Sequence, residues 1–230
     1  MKPLRFITLI IIVFAMTWMV TPDGIPQVQP EKPLKENSTD LQIVQDGWLS
    51  LLDGKTLEGW EAVHYGGEGE PCVKDGALIL PMATTGVMTG VRWVGGDLPV
   101  NNYVIYYEAR RVAGNDIFAG LTFPYKDTYA SLVIGGWGGI VNGLSSIDGY
   151  DASGNETTQL FSLRDNQWYP VRLIVTNDSI RAFAGEEKVV DIATTGKHIH
   201  LRSDILDTGL TLWTYLSTGE IRNFRIKKLK

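Results

Sequence analysis

The sequence predicts an all-β fold in which two sheets pack face to face as a sandwich. Apolar and polar residues alternate over many short runs, and glycine, asparagine and aspartate separate these runs. No stretch of the domain keeps a helical apolar period over three turns, and no internal repeat indicates a propeller or solenoid. With 230 residues, 44% of them hydrophobic, the chain can bury the core of one large all-β domain.

The first 20 residues resemble an export signal. Lys2 and Arg5 precede an apolar run from Phe6 to Val20, which is the pattern of a secretory signal peptide. The run is shorter than the ~20 residues of a comfortable membrane span, but no small-x-small cleavage site follows it. We expect a periplasmic or extracellular bacterial protein. The alternative is that residues 6–20 remain uncleaved and anchor the protein, and this segment would then be its sole contact with the membrane.

Residues 21–40 predict a disordered linker, because they combine four prolines and mixed charges with few apolar side chains. The folded domain is therefore expected at residues 41–230. Its single cysteine, Cys72, excludes an intramolecular disulfide. The net charge of −5 and the lack of a basic stripe argue against a nucleic-acid partner.

Four runs carry the clearest strand patterns. In YVIYYEARRV, the odd-numbered residues from Tyr103 to Ala109 share one face. Residues 168–176 alternate in the same way, and residues 179–192 predict two strands joined by a turn at Gly185 and Glu186. In residues 220–230, Phe224 and Ile226 are expected to point inward.

The central stretch IGGWGGIVNG, residues 134–143, raises the question of a phosphate-binding loop. A dinucleotide fingerprint beginning at Gly136 would need a third glycine where Val141 stands, and no amphipathic helix follows. The glycines around Trp137 instead favour one of two positions for its side chain. In the first, the indole is exposed and can stack on a sugar ring. In the second, the indole fills the core and the glycines make room for it.

Two terminal motifs resemble a known family. GWLSLLDGKTLEGWE, residues 47–61, is similar to the opening signature of the 3-keto-disaccharide hydrolase domain family, and GEIRNFRIKKL, residues 219–229, is similar to its closing strand. Residues 73–80 and 106–123 resemble two further family segments. The resemblance implies a concanavalin A-like jelly roll and cleavage of glycosidic bonds of 3-keto sugars. We expect the opening turn and the closing strand to lie together and tie the sandwich shut.

Direct glycoside hydrolysis requires two carboxyl groups, whereas a 3-keto group acidifies the adjacent C–H and permits elimination by one base and one acid. Glu108 matches the family's Glu-Phe-Arg segment and is the candidate base, with Arg110 orienting it. The alternative is an exposed ion pair between these two residues. Asp148 and Glu156, in a glycine-rich loop, are the candidate acids or metal ligands.

Substrate binding is expected at Trp137, with Tyr106 and Tyr125 as nearby aromatic residues and Asp116 as a polar residue at the rim. No metal ligand is assigned and the cofactor is left open. A divalent cation such as calcium is one alternative for the loop at 145–157, although the EF-hand order is not met. Another alternative is a site at His198 and His200, which share a strand face, completed by Asp204 or His64.

We therefore expect an exported carbohydrate-active domain whose partner is a carbohydrate or glycoside. A non-catalytic carbohydrate-binding module and a cell-surface interaction domain are the alternatives. YASLVIGGWGGIVNG, residues 129–143, replaces the Glu-x-Gln-Ile-x-Asp-like strand of the family's enzymes and favours the binding module. A shared cleft for Glu108 and an acid of the loop would favour the enzyme. An exposed Trp137 without them would favour the module.

Overall fold

The alternating runs of the sequence form two antiparallel β-sheets in the computed structural model, which describes residues 47–202, 205 and 209–230. The predicted export signal at 1–20, the predicted linker at 21–40, the domain start at 41–46 and Asp204 lie outside the described residues. No helix among the described residues is long and apolar enough to cross a membrane.

The strands are β1 (Leu49–Ser50), β2 (Trp60–Ala62), β3 (Cys72–Lys74), β4 (Ala77–Leu80), β5 (Met88–Trp93), β6 (Tyr103–Gly114), β7 (Gly120–Tyr125), β8 (Thr128–Gly135), β9 (Val141–Ser145), β10 (Gln159–Leu160), β11 (Tyr169–Val175), β12 (Ser179–Ala184), β13 (Glu187–Ala193), β14 (Thr211–Tyr215) and β15 (Ser217–Lys228). The eight-stranded sheet has the order β13-β12-β11-β6-β15-β4-β3, and β1 also pairs with β15. The seven-stranded sheet has the order β10-β9-β8-β7-β14-β5-β2. One helical turn, α1 (Gly136–Gly139), joins β8 to β9.

The core lies between the two sheets and follows the predicted alternation. In β6, Tyr103, Ile105, Tyr107 and Ala109 are fully buried, whereas the even-numbered residues from Tyr106 to Arg110 face outward and are half-buried. The strand pair β12 and β13 turns at Gly185, where φ is +62°. Two-residue alternation thus predicted these strands correctly, because each strand buries one face only.

The two ends of the domain meet as predicted. Leu49 and Ser50 pair with Ile226 and Arg225 of the closing strand. Trp60 is buried and its indole N–H donates to the Leu51 carbonyl at 2.6 Å. The opening turn and closing strand therefore close the sandwich, and the predicted all-β two-sheet fold is confirmed.

Candidate functional site

A cleft of about 630 Å³ lies over the outer face of the seven-stranded sheet. Its floor includes Val133 of β8, Trp213 and Tyr215 of β14, and Met88 of β5. These residues point away from the core because they alternate with core residues such as Leu212. The volume falls within the range of about 300–1,000 Å³ that is typical of ligand pockets.

Trp213 forms the centre of this floor. Its ring lies directly over Gly120, where an added Cβ would come within 2.5 Å of the indole. The indole N–H donates to the Thr122 hydroxyl at 3.2 Å, and only 3% of the residue is exposed. A second apolar cluster, separate from the main core, therefore lies on the outside of the sheet, and it includes Ile117, Val133 and Trp213.

Trp137 stands at the cleft in a left-handed turn, residues 135–139. Its φ and ψ are 48° and 60°, and Gly135, Gly138 and Gly139 also have positive φ. A bulky aromatic residue rarely adopts this conformation, which is strained by about 1–3 kcal/mol and is concentrated at functional sites. Trp137 is 39% exposed. The turn thus presents an indole to the cleft.

Buried polar groups hold this turn from below. Asp116 is 9% exposed, and its carboxylate accepts hydrogen bonds from the backbone N–H groups of Gly138 and Ile117, both at 2.9 Å. The Asn142 side chain accepts from the N–H of Gly135 at 2.9 Å. Asp116 lines the cleft, and its contacts position the turn that carries Trp137.

The opposite wall of the cleft carries the charged residues Asp151 and Arg202, whose side chains approach to 3.6 Å. The other Asp151 carboxylate oxygen accepts from the backbone N–H and the hydroxyl of Ser153, at 2.9 and 2.6 Å. Ser145 also lines the cleft, and its buried hydroxyl has no hydrogen-bond partner among the described residues.

Glu108 lies on the outer face of the eight-stranded sheet, away from this cleft. Its carboxylate accepts from Arg222 at 2.7 Å, from Asn223 at 2.9 Å and from the Tyr106 hydroxyl at 3.3 Å. Partial burial raises the pKa of Glu108, but the hydrogen bonds from Asn223 and Arg222 outweigh it, so the pKa is lowered overall. The carboxylate is thus held ionised by its neighbours.

Arg110 does not orient Glu108, contrary to the expected pairing. Its guanidinium binds Glu220 at 2.6 Å instead. The reason is strand register: β15 places Glu220 opposite Arg110 and Arg222 opposite Glu108, so each charge is neutralised across the strands.

Asp148 and Glu156 lie together in the loop after β9, where Lys197 joins them. The Lys197 ammonium is 2.5 Å from Glu156 and 3.6 Å from Asp148. The His198 backbone N–H donates to Asp148, which lowers the pKa of that carboxyl. The structure therefore brings Asp148 and Glu156 together but places neither of them with Glu108, which faces the other side of the sandwich.

The predicted tyrosines are also separated from the cleft. Tyr125 is 4% exposed and belongs to the core between the sheets, because it alternates with outward-facing residues of β7. Tyr106 lies on the eight-stranded face beneath the Arg225 guanidinium, 4.5 Å from its ring centre. Of the predicted binding residues, Trp137 and Asp116 line the cleft.

In the described ranges, His198 and His200 are not joined by a third metal ligand, and Asp204, one of the two predicted candidates, lies outside these ranges. The rings of His198 and His200 are 4.9 Å apart, while His64 binds Glu68 at 2.9 Å. Among the described residues, no group of three or more histidines, cysteines or acidic residues could hold a metal ion.

Four residues that line the cleft were not among the predicted site residues: Met88, Arg202, Trp213 and Tyr215. A usable signal was present in TLWTY, residues 211–215, where Trp213 and Tyr215 alternate with smaller residues. Alternation shows that two residues share a face, but it does not show whether that face is the core or a cleft.

Solved structures share the fold. A glycosyl hydrolase of unproven activity from Parabacteroides distasonis is 16% identical, with a TM-score of 0.51 over 87% of this chain and 100% of that one. Domain 4 of AbnA, an arabinanase from Geobacillus stearothermophilus solved with arabinotriose, is 16% identical, with a TM-score of 0.51 over 79% and 91%. The Crh5 transglycosylase, solved with NAG, is 10% identical, with a TM-score of 0.59 over 80% and 85%. At these identities the likeness shows the fold alone.

Sequence comparison shows the family. No curated protein matches the sequence. The profile of the 3-keto-alpha-glucoside-1,2-lyase-like domain matches residues 47–227, from the opening motif to the closing strand, and confirms the resemblance of the terminal motifs. Because the match covers most of the 230 residues, the chain belongs to the family of 3-keto-alpha-glucoside-1,2-lyase-like domains.

Proposed function

We propose that this domain is exported and binds a glycoside in the cleft, with one sugar ring stacked on Trp137. The observation that carries the proposal is the exposed indole of Trp137, which is held in a strained left-handed turn at the cleft. The apolar face of a sugar ring packs well on an indole. The export-signal pattern of the first 20 residues agrees with a ligand outside the cytoplasm.

The neighbouring polar groups suit the hydroxyls of a bound sugar. Asp151 and Arg202 provide a carboxylate and a guanidinium along the same cleft. Ser145 also lines it, with a buried hydroxyl that has no hydrogen-bond partner within the part of the chain that the structure describes. A few converging polar groups in a mostly apolar pocket are typical of small-molecule sites. Two structures that share the fold were solved with arabinotriose and NAG, which are also carbohydrates, and this supports the choice of ligand class.

A second function, cleavage of 3-keto glycosides by elimination, is favoured by the pairing of Asp151 with Arg202 at the cleft. In this reaction, the Asp151 carboxylate removes the proton from the carbon between the ketone and the anomeric carbon. The C–H electrons form a C=C bond, the bond to the aglycone oxygen breaks, and that oxygen takes a proton from water. Arg202 stabilises the negative charge that develops on the ketone oxygen. The hydroxide left from that water then adds to the anomeric carbon, and Asp151 returns its proton to the neighbouring carbon, which restores the carboxylate and completes a net hydrolysis.

Calorimetric titration of the purified full-length chain with 3-keto-glucosides and their unoxidised parents tests the binding proposal. We expect binding that Trp137→Ala weakens and that the matched variant Trp168→Ala, on the opposite face, leaves unchanged. Absence of binding to every glycoside would overturn the proposal, as would equal losses in the two variants.

Aglycone release from the 3-keto substrates tests the second function. Asp151→Asn is expected to abolish release, while Glu108→Gln is expected to retain it because the Glu108 carboxylate already accepts three hydrogen bonds. The opposite result would return the role of base to Glu108. Repeating the assay with a chelator tests the alternative that a divalent cation polarises the ketone.

A further inference from the structure

The two ends of the cleft differ in chemistry. At the β9 end lie the hydroxyl of Ser145 and the loop residues Asp151 and Arg202. At the β14–β5 end, Met88 stands directly opposite Tyr215, and Val87 continues the same wall. The sheet order β9-β8-β7-β14-β5 places the polar and apolar groups at opposite ends of the cleft.

The cleft is long enough for two ring systems. Four strand spacings separate β9 from β5, which corresponds to about 19 Å at the usual spacing between neighbouring strands. The cleft volume of about 630 Å³ also exceeds the need of a single sugar ring. Trp137, in the turn between β8 and β9, lies on the polar side of this span.

The apolar end is poorly suited to a second sugar. Each sugar hydroxyl that leaves water without a new hydrogen bond is unfavourable. The described side chains there are those of Val87 and Met88 and the rings of Tyr65 and Tyr215. The two tyrosine hydroxyls are fewer than the hydroxyls of a sugar ring, and the indole N–H of Trp213 is already bound to Thr122. An apolar ring would instead displace water from this wall and contact the flexible thioether of Met88 favourably.

We infer that the natural ligand is a glycoside with an apolar, aromatic aglycone. The sugar lies against Trp137 and the polar wall, and the aglycone lies over Met88 and Tyr215. This inference rests on the proposed glycoside binding and specifies the substrate class of the same cleft.

Equilibrium titration of the full-length chain with methyl glucoside, 2-naphthyl glucoside, cellobiose and free 2-naphthol tests the inference, with both anomers of each glucoside. The unoxidised sugars lack the ketone that elimination requires, so binding is measured without cleavage. We expect 2-naphthyl glucoside to bind at least about 10-fold more tightly than methyl glucoside or cellobiose. Met88→Gln should reduce this preference at least about 5-fold, whereas Met82→Gln, which alters an exposed methionine outside the cleft lining, should not.

The outcomes separate the inference from the proposed function. Equal affinities for methyl and naphthyl glucosides, or tighter binding of cellobiose, would overturn the aromatic aglycone and leave glycoside binding intact. Binding of 2-naphthol as tight as that of its glucoside would overturn the inference, because the sugar would then contribute nothing. Failure of these glycosides and of their 3-keto forms to bind would overturn the proposed function itself. If only the 3-keto forms bind, the methyl and naphthyl 3-keto-glucosides are compared in the same way with the Asp151→Asn variant, which is expected not to cleave them.

Discussion

The two outer faces of the sandwich differ in whether charged side chains cover their tryptophan. On the eight-stranded face, Trp168 is covered by the guanidinium groups of Arg110 and Arg222, at 4.7 and 4.1 Å from its ring centre. Those arginines in turn bind Glu220 and Glu108. On the seven-stranded face, an indole stands exposed in a strained turn beside an apolar cleft.

This difference shows why charged residues in a family motif are not by themselves evidence of catalysis. Arg222 and Asn223 belong to the closing motif, and both bind Glu108. Their contacts neutralise charge and join β6 to β15, which is a structural role. On the cleft face, by contrast, Trp137 has a left-handed backbone conformation that bulky residues rarely adopt, and its indole is exposed. Such departures from local conformational preference are expected at binding sites.

The largest expected effect is on binding, at the cleft face. Trp137→Gly removes the stacking surface and should weaken glycoside affinity by about 2–3 kcal/mol, or roughly 30- to 150-fold. Stability should stay within about 1 kcal/mol of the parent, because relief of the left-handed strain offsets the lost contacts and the added freedom of the unfolded chain. Calorimetric titration and thermal unfolding measure the two quantities. A large loss of stability would contradict the assignment of strain to this turn.

The next effect is on stability, at the opposite face. Glu108→Gln leaves Arg222 without its charged partner and should lower the free energy of unfolding by about 1–2 kcal/mol. Affinity for glycosides should not change, because the residue faces away from the cleft. Urea unfolding of the variant, followed by titration with the same ligand, checks both. Weakened binding at unchanged stability would eliminate the distinction between the faces.

A smaller effect is expected at the support of the turn. Asp116→Asn replaces one acceptor with an amide donor, so the N–H groups of Gly138 and Ile117 can no longer both be bound as they are. We expect about 5-fold weaker glycoside binding and a change in tryptophan emission that is absent when the same substitution is made in the Trp137→Gly variant, since six other tryptophans also emit. Asp191→Asn, at an exposed ion pair with Lys188 on the eight-stranded sheet, is the matched control. An unchanged emission spectrum would mean that Asp116 does not position the indole.

The sequence predicted the fold more fully than it predicted the site. Alternation identified β6, β11 to β13 and β15, because each strand buries only one face. It could not show that Tyr125 points into the core, nor that register would pair Arg110 with Glu220. The cleft also joins residues distant in the chain, such as Met88 and Trp137, and no local pattern reports that proximity.

The smallest effect is the pH dependence of the Glu108 contribution. Because the pKa of Glu108 is lowered in the folded state, its carboxylate stabilises the fold fully above the ordinary glutamate pKa of about 4.3. That contribution is lost as the pH falls below this value and through the folded pKa. The stability difference between the parent and Glu108→Gln should therefore be constant from about pH 7 to pH 5 and shrink by less than about 1 kcal/mol toward pH 3. Other carboxyl groups titrate in both proteins and cancel in this difference. Urea unfolding at each pH measures it, and a difference that stays constant to pH 3 would mean that packing, rather than the charge of Glu108, stabilises this face.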